Sequence, residues 1–62
     1  MKVKHLLEVL EPNTTVIVSN FDKYSLAEVD ANMLSEFPFD ELEIKEIETD
    51  SNGTVEIRLE KF

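Results

Sequence analysis

The last third of the chain admits one local structure. Val55, Ile57 and Leu59 alternate strictly with Glu56, Arg58 and Glu60, which is the period of a strand with one apolar and one polar face. Upstream, Leu42, Ile44 and Ile47 lead to Thr49, and Asp50-Ser51-Asn52-Gly53 separates the two runs. An Asn-Gly pair between such runs specifies a β-hairpin, with Asn52 and Gly53 at the positive-φ positions of its turn. The step from Ile44 to Ile47 breaks the period of two and predicts a bulge near Lys45-Glu46.

The remaining elements follow from the same signals. Val3, Leu6, Leu7 and Leu10 recur at helical spacing, so residues 2–10 read as an amphipathic helix. It must end before Pro12, because Glu11 is pushed out of the helical region by the proline that follows. Thr15-Val16-Ile17-Val18-Ser19 is a β-branched run, and its three consecutive apolar residues suggest a strand covered on both faces, or nearly so. Asn20-Phe21-Asp22-Lys23 reads as a turn. Residues 24–29 carry two signals. Leu26, Val29, Met33, Leu34 and Phe37 fit a helical period behind a Ser25-Leu26-Ala27-Glu28 capping box, yet Tyr24 to Val29 also fits the second half of a hairpin. The favoured reading is a strand over 24–29, then a short helix over 31–36 with Asp30 as its N-cap, stopped at Phe37-Pro38. The expected fold is α+β in the order α-β-β-α-β-β: a small antiparallel sheet of about four strands with an N-terminal helix on one face.

Sixty-two residues make a single domain, 1–62. The chain has no cysteine, so neither disulfides nor thiolate metal sites can supplement a thin core. Small domains without such staples gain stability by oligomerising, which makes room for a homodimer. No run approaches the ~20 apolar residues of a bilayer span, and Leu6-Leu7-Glu8-Val9-Leu10 is too short and too charged for a signal peptide. The expected location is the cytoplasm, with no membrane partner. The sequons at Asn13 and Asn52 then read as polar turn residues.

Chemistry is scarce in this sequence. One histidine, His5, and no cysteine leave nothing to activate a hydroxyl nucleophile. The single glycine is committed to a turn, so no phosphate-cradling loop exists. A calcium loop opening at Asp50 would need glycine where Val55 stands and glutamate where Lys61 stands. The chain is read as non-enzymatic, with no cofactor and no metal.

Charge is the feature left over. Fourteen acidic against six basic residues give a net charge of −8, which argues against direct binding to nucleic acid. Residues 28–50 account for all of it, with nine acids and a single base, Lys45, while both flanks cancel. With Leu42, Ile44 and Ile47 facing a core, Glu41, Glu43, Glu46 and Glu48 project outward. Asp40 and Glu36 lie close by in sequence. Side chains two apart on a strand are ~6.6 Å from each other, of the order of phosphate spacing along a nucleic-acid strand. Such a face can imitate a phosphate backbone and occupy a basic groove. The ordinary role of these acids is to solvate an exposed strand and blunt its edge. Phe37-Pro38-Phe39 adds a candidate anchor, Phe39, against the alternative that it plugs the core.

The chain resembles small proteins encoded by phages and prophages of Gram-positive bacteria. The segments that carry the likeness are Met1-Lys2-Val3-Lys4-His5-Leu6-Leu7-Glu8-Val9-Leu10 running into Pro12-Asn13-Thr14-Thr15-Val16-Ile17-Val18, then Glu28-Val29-Asp30-Ala31-Asn32-Met33-Leu34, then Leu42-Glu43-Ile44-Lys45-Glu46-Ile47 and Val55-Glu56-Ile57-Arg58-Leu59. That resemblance implies phage origin and action inside the host cell, and supplies no catalytic residues. The expected function is binding and inhibition of a basic host or phage protein, through nucleic-acid mimicry of the anti-restriction or anti-CRISPR kind. The alternative is a small oligomeric accessory module of phage replication or assembly.

Overall fold

The computed structural model describes residues 1–61. Six elements follow one another: α1 (Val3–Leu7), β1 (Thr15–Ser19), β2 (Ser25–Asp30), α2 (Ala31–Leu34), β3 (Ile44–Thr49) and β4 (Val55–Leu59). This is the expected α+β class and the expected order. Residues 25–30 form a strand, and the helix that follows is short, as the hairpin signal indicated.

The sheet is mixed, which corrects the expectation of an antiparallel one. Its strand order is β2-β1-β4-β3, and the central pair, β1 with β4, runs parallel. The two hairpins are antiparallel within themselves. Strands β2 and β3 therefore run in the same direction at opposite edges, and a crossover must join them. Residues 31–43, which include α2, make that crossover. Strand periodicity fixes which face a residue occupies and says nothing about which strand lies alongside, so the parallel pairing was invisible in the pattern.

One face of the sheet is covered. Val16, Val18, Val55, Ile57 and Leu59 form a single buried cluster with Val3 and Leu6 of α1, Ala31 and Leu34 of α2, and Phe39. Both helices thus pack on the same side. The expectation that β1 is covered on both faces, or nearly so, is met in full on one face only: Ile17 is half-buried on the opposite side, where no helix lies.

Local departures have local causes. Helix α1 stops at Leu7 rather than Leu10, since Val9 is 77% exposed and offers no packing to support another turn. Asp30 holds the N-cap position of α2, yet its carboxylate makes no capping bond. Two main-chain acceptors take that work: Ala31 N donates to Thr14 O at 2.8 Å and Asn32 N to Pro12 O at 3.0 Å. After Leu34 the chain continues in tighter turns, with Glu36 N on Met33 O and Phe37 N on Leu34 O, and leaves them before Pro38. The bulge falls where expected, between Ile44 and Glu46. In the β3–β4 turn only Gly53 has positive φ, at +84°, so Asn52 does not share that role. The loop is longer than a two-residue turn: Asp50 N donates to Thr54 O, and Asp50 Oδ1 accepts from Asn52 N and Thr54 N at 2.8 and 3.0 Å.

Candidate functional site

The uncovered face of the sheet is a feature that the core does not explain. Its residues follow from strand alternation and register. Ile17 stands beside Glu28 on β2 and Glu56 on β4, and Glu56 stands beside Glu48 on β3. The row across all four strands therefore reads Glu28, Ile17, Glu56, Glu48. Adjacent strands are ~4.8 Å apart, so the row flanks one aliphatic side chain with two carboxylates and sets a third one strand further on. The next row places Ser19 beside Arg58, and Arg58 beside Glu46. Thr15 pairs with Asp30 on the other side of the Ile17 row. Five carboxylates, of Glu28, Asp30, Glu46, Glu48 and Glu56, thus share the face with one guanidinium, Arg58. Lys45 sits in the bulge at the outer edge.

Arg58 is already engaged. Its Nη1 donates to Glu46 Oε1, and its Nη2 lies 3.4 Å from Glu48 Oε1. The buried Ser19 hydroxyl donates to Glu56 Oε2 at 3.1 Å. Glu48 and Glu56 are direct cross-strand neighbours, a like-charge pairing that costs stability. A depression of about 80 Å³ opens here, lined by Ile17, Glu48, Thr49, Asp50, Thr54 and Glu56. It has an aliphatic floor and acidic walls. Among the described residues no group of three or more His, Cys, Asp and Glu side chains is arranged to hold a metal ion.

The acids singled out from sequence fall into two groups with different partners. Glu46 and Glu48 lie on the open face, while Glu41 and Glu43 precede β3 and pair with the N-terminal segment. Lys4 Nζ is 2.6 Å from Glu41 Oε2, Lys2 Nζ is 3.2 Å from Glu41 Oε1, and the Met1 ammonium is 3.2 Å from Glu43 Oε2. The hydrogen bond from Lys4, helped by Lys2, holds the Glu41 carboxyl below the usual glutamate range. The same contact raises the Lys4 ammonium above its ordinary value. Lys2 and Glu43 also form a β-bridge, and Ile44 N donates to Met1 O at 2.8 Å, so the chain start caps the beginning of β3. Glu36 is exposed in the turn after α2, and Asp40 is half-buried with its carbonyl accepting from Lys4 N. Phe39 is buried, its ring stacked parallel to that of Phe37 at 6.0 Å, and belongs to the core rather than to a surface anchor.

Glu56 was missed because the charges of residues 51–62 cancel in sequence. Its alternation with Ile57 marked it as outward-facing, but only the β1–β4 pairing sets it beside Ile17 and Glu28.

Compared with known proteins, the chain matches no family model, no curated protein and no solved structure. No helix among the described residues is long and apolar enough to cross a membrane.

Proposed function

We propose that this chain is a non-enzymatic binding protein that captures a basic protein surface on the uncovered face of its sheet. The row Glu28, Ile17, Glu56, Glu48 carries the reading. A lysine or arginine of the partner lays its aliphatic stem on Ile17 and its charged head against the flanking carboxylate of Glu28 or Glu56, since long basic side chains have both parts. The surrounding acids steer the approach. The internal cation of the face is occupied by Glu46 and Glu48, so the outer carboxylates Glu28 and Asp30 are available to the partner.

Inhibition is a corollary for a partner whose basic groove normally holds phosphates. The resemblance to phage and prophage proteins favours a host nuclease of a Gram-positive bacterium as that partner. Glu41 and Glu43 stand outside the site, because Lys2, Lys4 and Met1 already neutralise them.

The test is capture from a Gram-positive lysate with the immobilised wild-type protein, a face variant carrying Glu28→Lys, Glu48→Lys and Glu56→Lys, and a control carrying Glu41→Gln and Glu43→Gln. Wild type and control should retain the same protein, release it at high salt, and differ from a face variant that retains none. Capture that survives either the face substitutions or high salt overturns the proposal.

A further inference from the structure

The two edges of the sheet are guarded differently. The β3 edge is covered at its start by Met1 and Lys2 and distorted by the Lys45 bulge, two devices that discourage strand addition. The β2 edge has no strand on its outer side among the described residues, and residues 24–30 contain neither proline nor lysine. Which of its groups are free follows from the register. Ala31 N donates to Thr14 O, one step beyond the Thr15–Asp30 pair. Antiparallel pairs alternate between exchanging hydrogen bonds and not. Val29 and Ala27 therefore turn their N–H and C=O groups toward β1, Glu28 turns both of its groups outward, and Asp30 turns its N–H outward while its carbonyl, at the N-cap of α2, accepts the first bond of that helix. The two residues with outward main chain are the two whose carboxylates stand on the open face.

The geometry points to strand addition at β2 by an extended segment of a partner protein, with basic residues at every second position. Its main chain bonds Glu28 and Asp30, its basic side chains fall directly opposite those carboxylates on the open face, and the residue between them meets half-buried Val29 on the covered side. A second copy of the chain is disfavoured here: antiparallel self-pairing about Val29 sets Glu28 against Asp30 twice. The same acids that close the edge to itself open it to a basic strand. This inference rests on the basic-partner reading and specifies how the partner's chain is held.

Three synthetic peptides separate the two ideas: alternating Lys-Val-Lys-Thr-Lys-Val-Lys, its block isomer Lys-Lys-Lys-Lys-Val-Thr-Val, and the alternating peptide N-methylated at its three central amides, which keeps the charge and removes the donors. Titrated into the ¹⁵N-labelled protein, the alternating peptide should slow hydrogen exchange at the Glu28 and Asp30 amides. The block and N-methylated peptides should bind at least about tenfold more weakly and leave those amides unprotected. On the protein side, Glu28→Pro should lose the alternating peptide further than Glu28→Gln does, because proline removes the outward N–H as well as the charge. Equal, salt-sensitive binding of all three peptides without amide protection overturns strand addition and leaves the acidic-face reading standing. Absence of binding by every basic peptide overturns both.

Discussion

Lys23 is the one non-glycine residue with positive φ among the described residues, at 71°. A side chain in that region is strained by roughly 1–2 kcal/mol, and Lys23 is exposed, with nothing buried to offset it. Lys23→Gly should therefore stabilise the protein by about 0.5–1 kcal/mol, read as a rise in thermal midpoint of several degrees. The reciprocal change, Gly53→Ala, should cost about as much. A Cβ at Gly53 would meet no atom within 4 Å, so backbone strain alone acts there. A fall in midpoint for Lys23→Gly contradicts the strain. Glu41 carries a pH signature. Its carboxyl pKa is lowered in the fold by Lys4 and Lys2, so between the folded and unfolded values the unfolded chain binds more protons. The contribution is complete above the ordinary glutamate pKa of about 4.3 and is lost as pH falls through the lowered one. Glu41→Gln should flatten the dependence of urea midpoints on pH in that acid window. It should change little at neutrality, where an exposed pair contributes weakly. A mutant curve parallel to wild type down to pH 3 would contradict the assignment. Lys4 mirrors this, its share persisting until pH rises through the raised lysine value.

At the scale of elements, the two hairpin loops are built alike. Asn20 N donates to Tyr24 O, Lys23 N donates to Asn20 O, and Asn20 Oδ1 accepts from Asp22 N and Tyr24 N at 2.9 and 3.0 Å. Asp50, Asn52, Gly53 and Thr54 repeat every one of these bonds. The first position needs a short side-chain acceptor and the fourth a residue that accepts positive φ. Asn20→Ala and Asp50→Ala should each cost about 1 kcal/mol in denaturant unfolding. Asn20→Asp should be nearly neutral, and a loss as large as that of alanine would mean that the amide matters for another reason. The second loop was legible through its Asn-Gly pair. The first was legible only as a turn, because lysine gives no warning that it will take a glycine's conformation. The Asp30 carboxylate illustrates the opposite failure: the sequence marked it as a cap, and two carbonyls brought by the fold displaced it onto the open face.

For the molecule as a whole, the core is small and every large member counts. Leu34 and Ile57 are fully buried, and Leu34→Ala should remove about 2–5 kcal/mol. Domains hold roughly 0.05–0.15 kcal/mol per residue in total, so most of the variant should be unfolded in a thermal melt at physiological temperature. A cooperative wild-type-like transition would show that the crossover is not tied to the core through Leu34. Charge acts over the same scale. With a net charge of −8 and Glu48 opposite Glu56, folded-state repulsion is screened by salt. The thermal midpoint should rise from low salt to about 0.5 M NaCl, where the Debye length is only a few ångströms, and a falling midpoint would mean that the ion pairs of Glu41 and Arg58 outweigh the repulsion.

Local pattern determined the elements of this protein. Apolar spacing placed strands at 15–19, in the run from Leu42 to Thr49 that the fold trims to 44–49, and at 55–59, with a bulge near Lys45-Glu46, and the turn residues placed the breaks, since periodicity and backbone preference act within a few residues. The identity of the open face was decided by tertiary structure. The acids at 41 and 43 looked continuous with those at 46 and 48 until the chain start paired with the first two. Glu56 joined Glu28 only because β4 returned beside β1. A side chain's outward direction is a property of its own strand, whereas its neighbours are set by which strands the crossover brings together, and that depends on packing between residues far apart in the sequence.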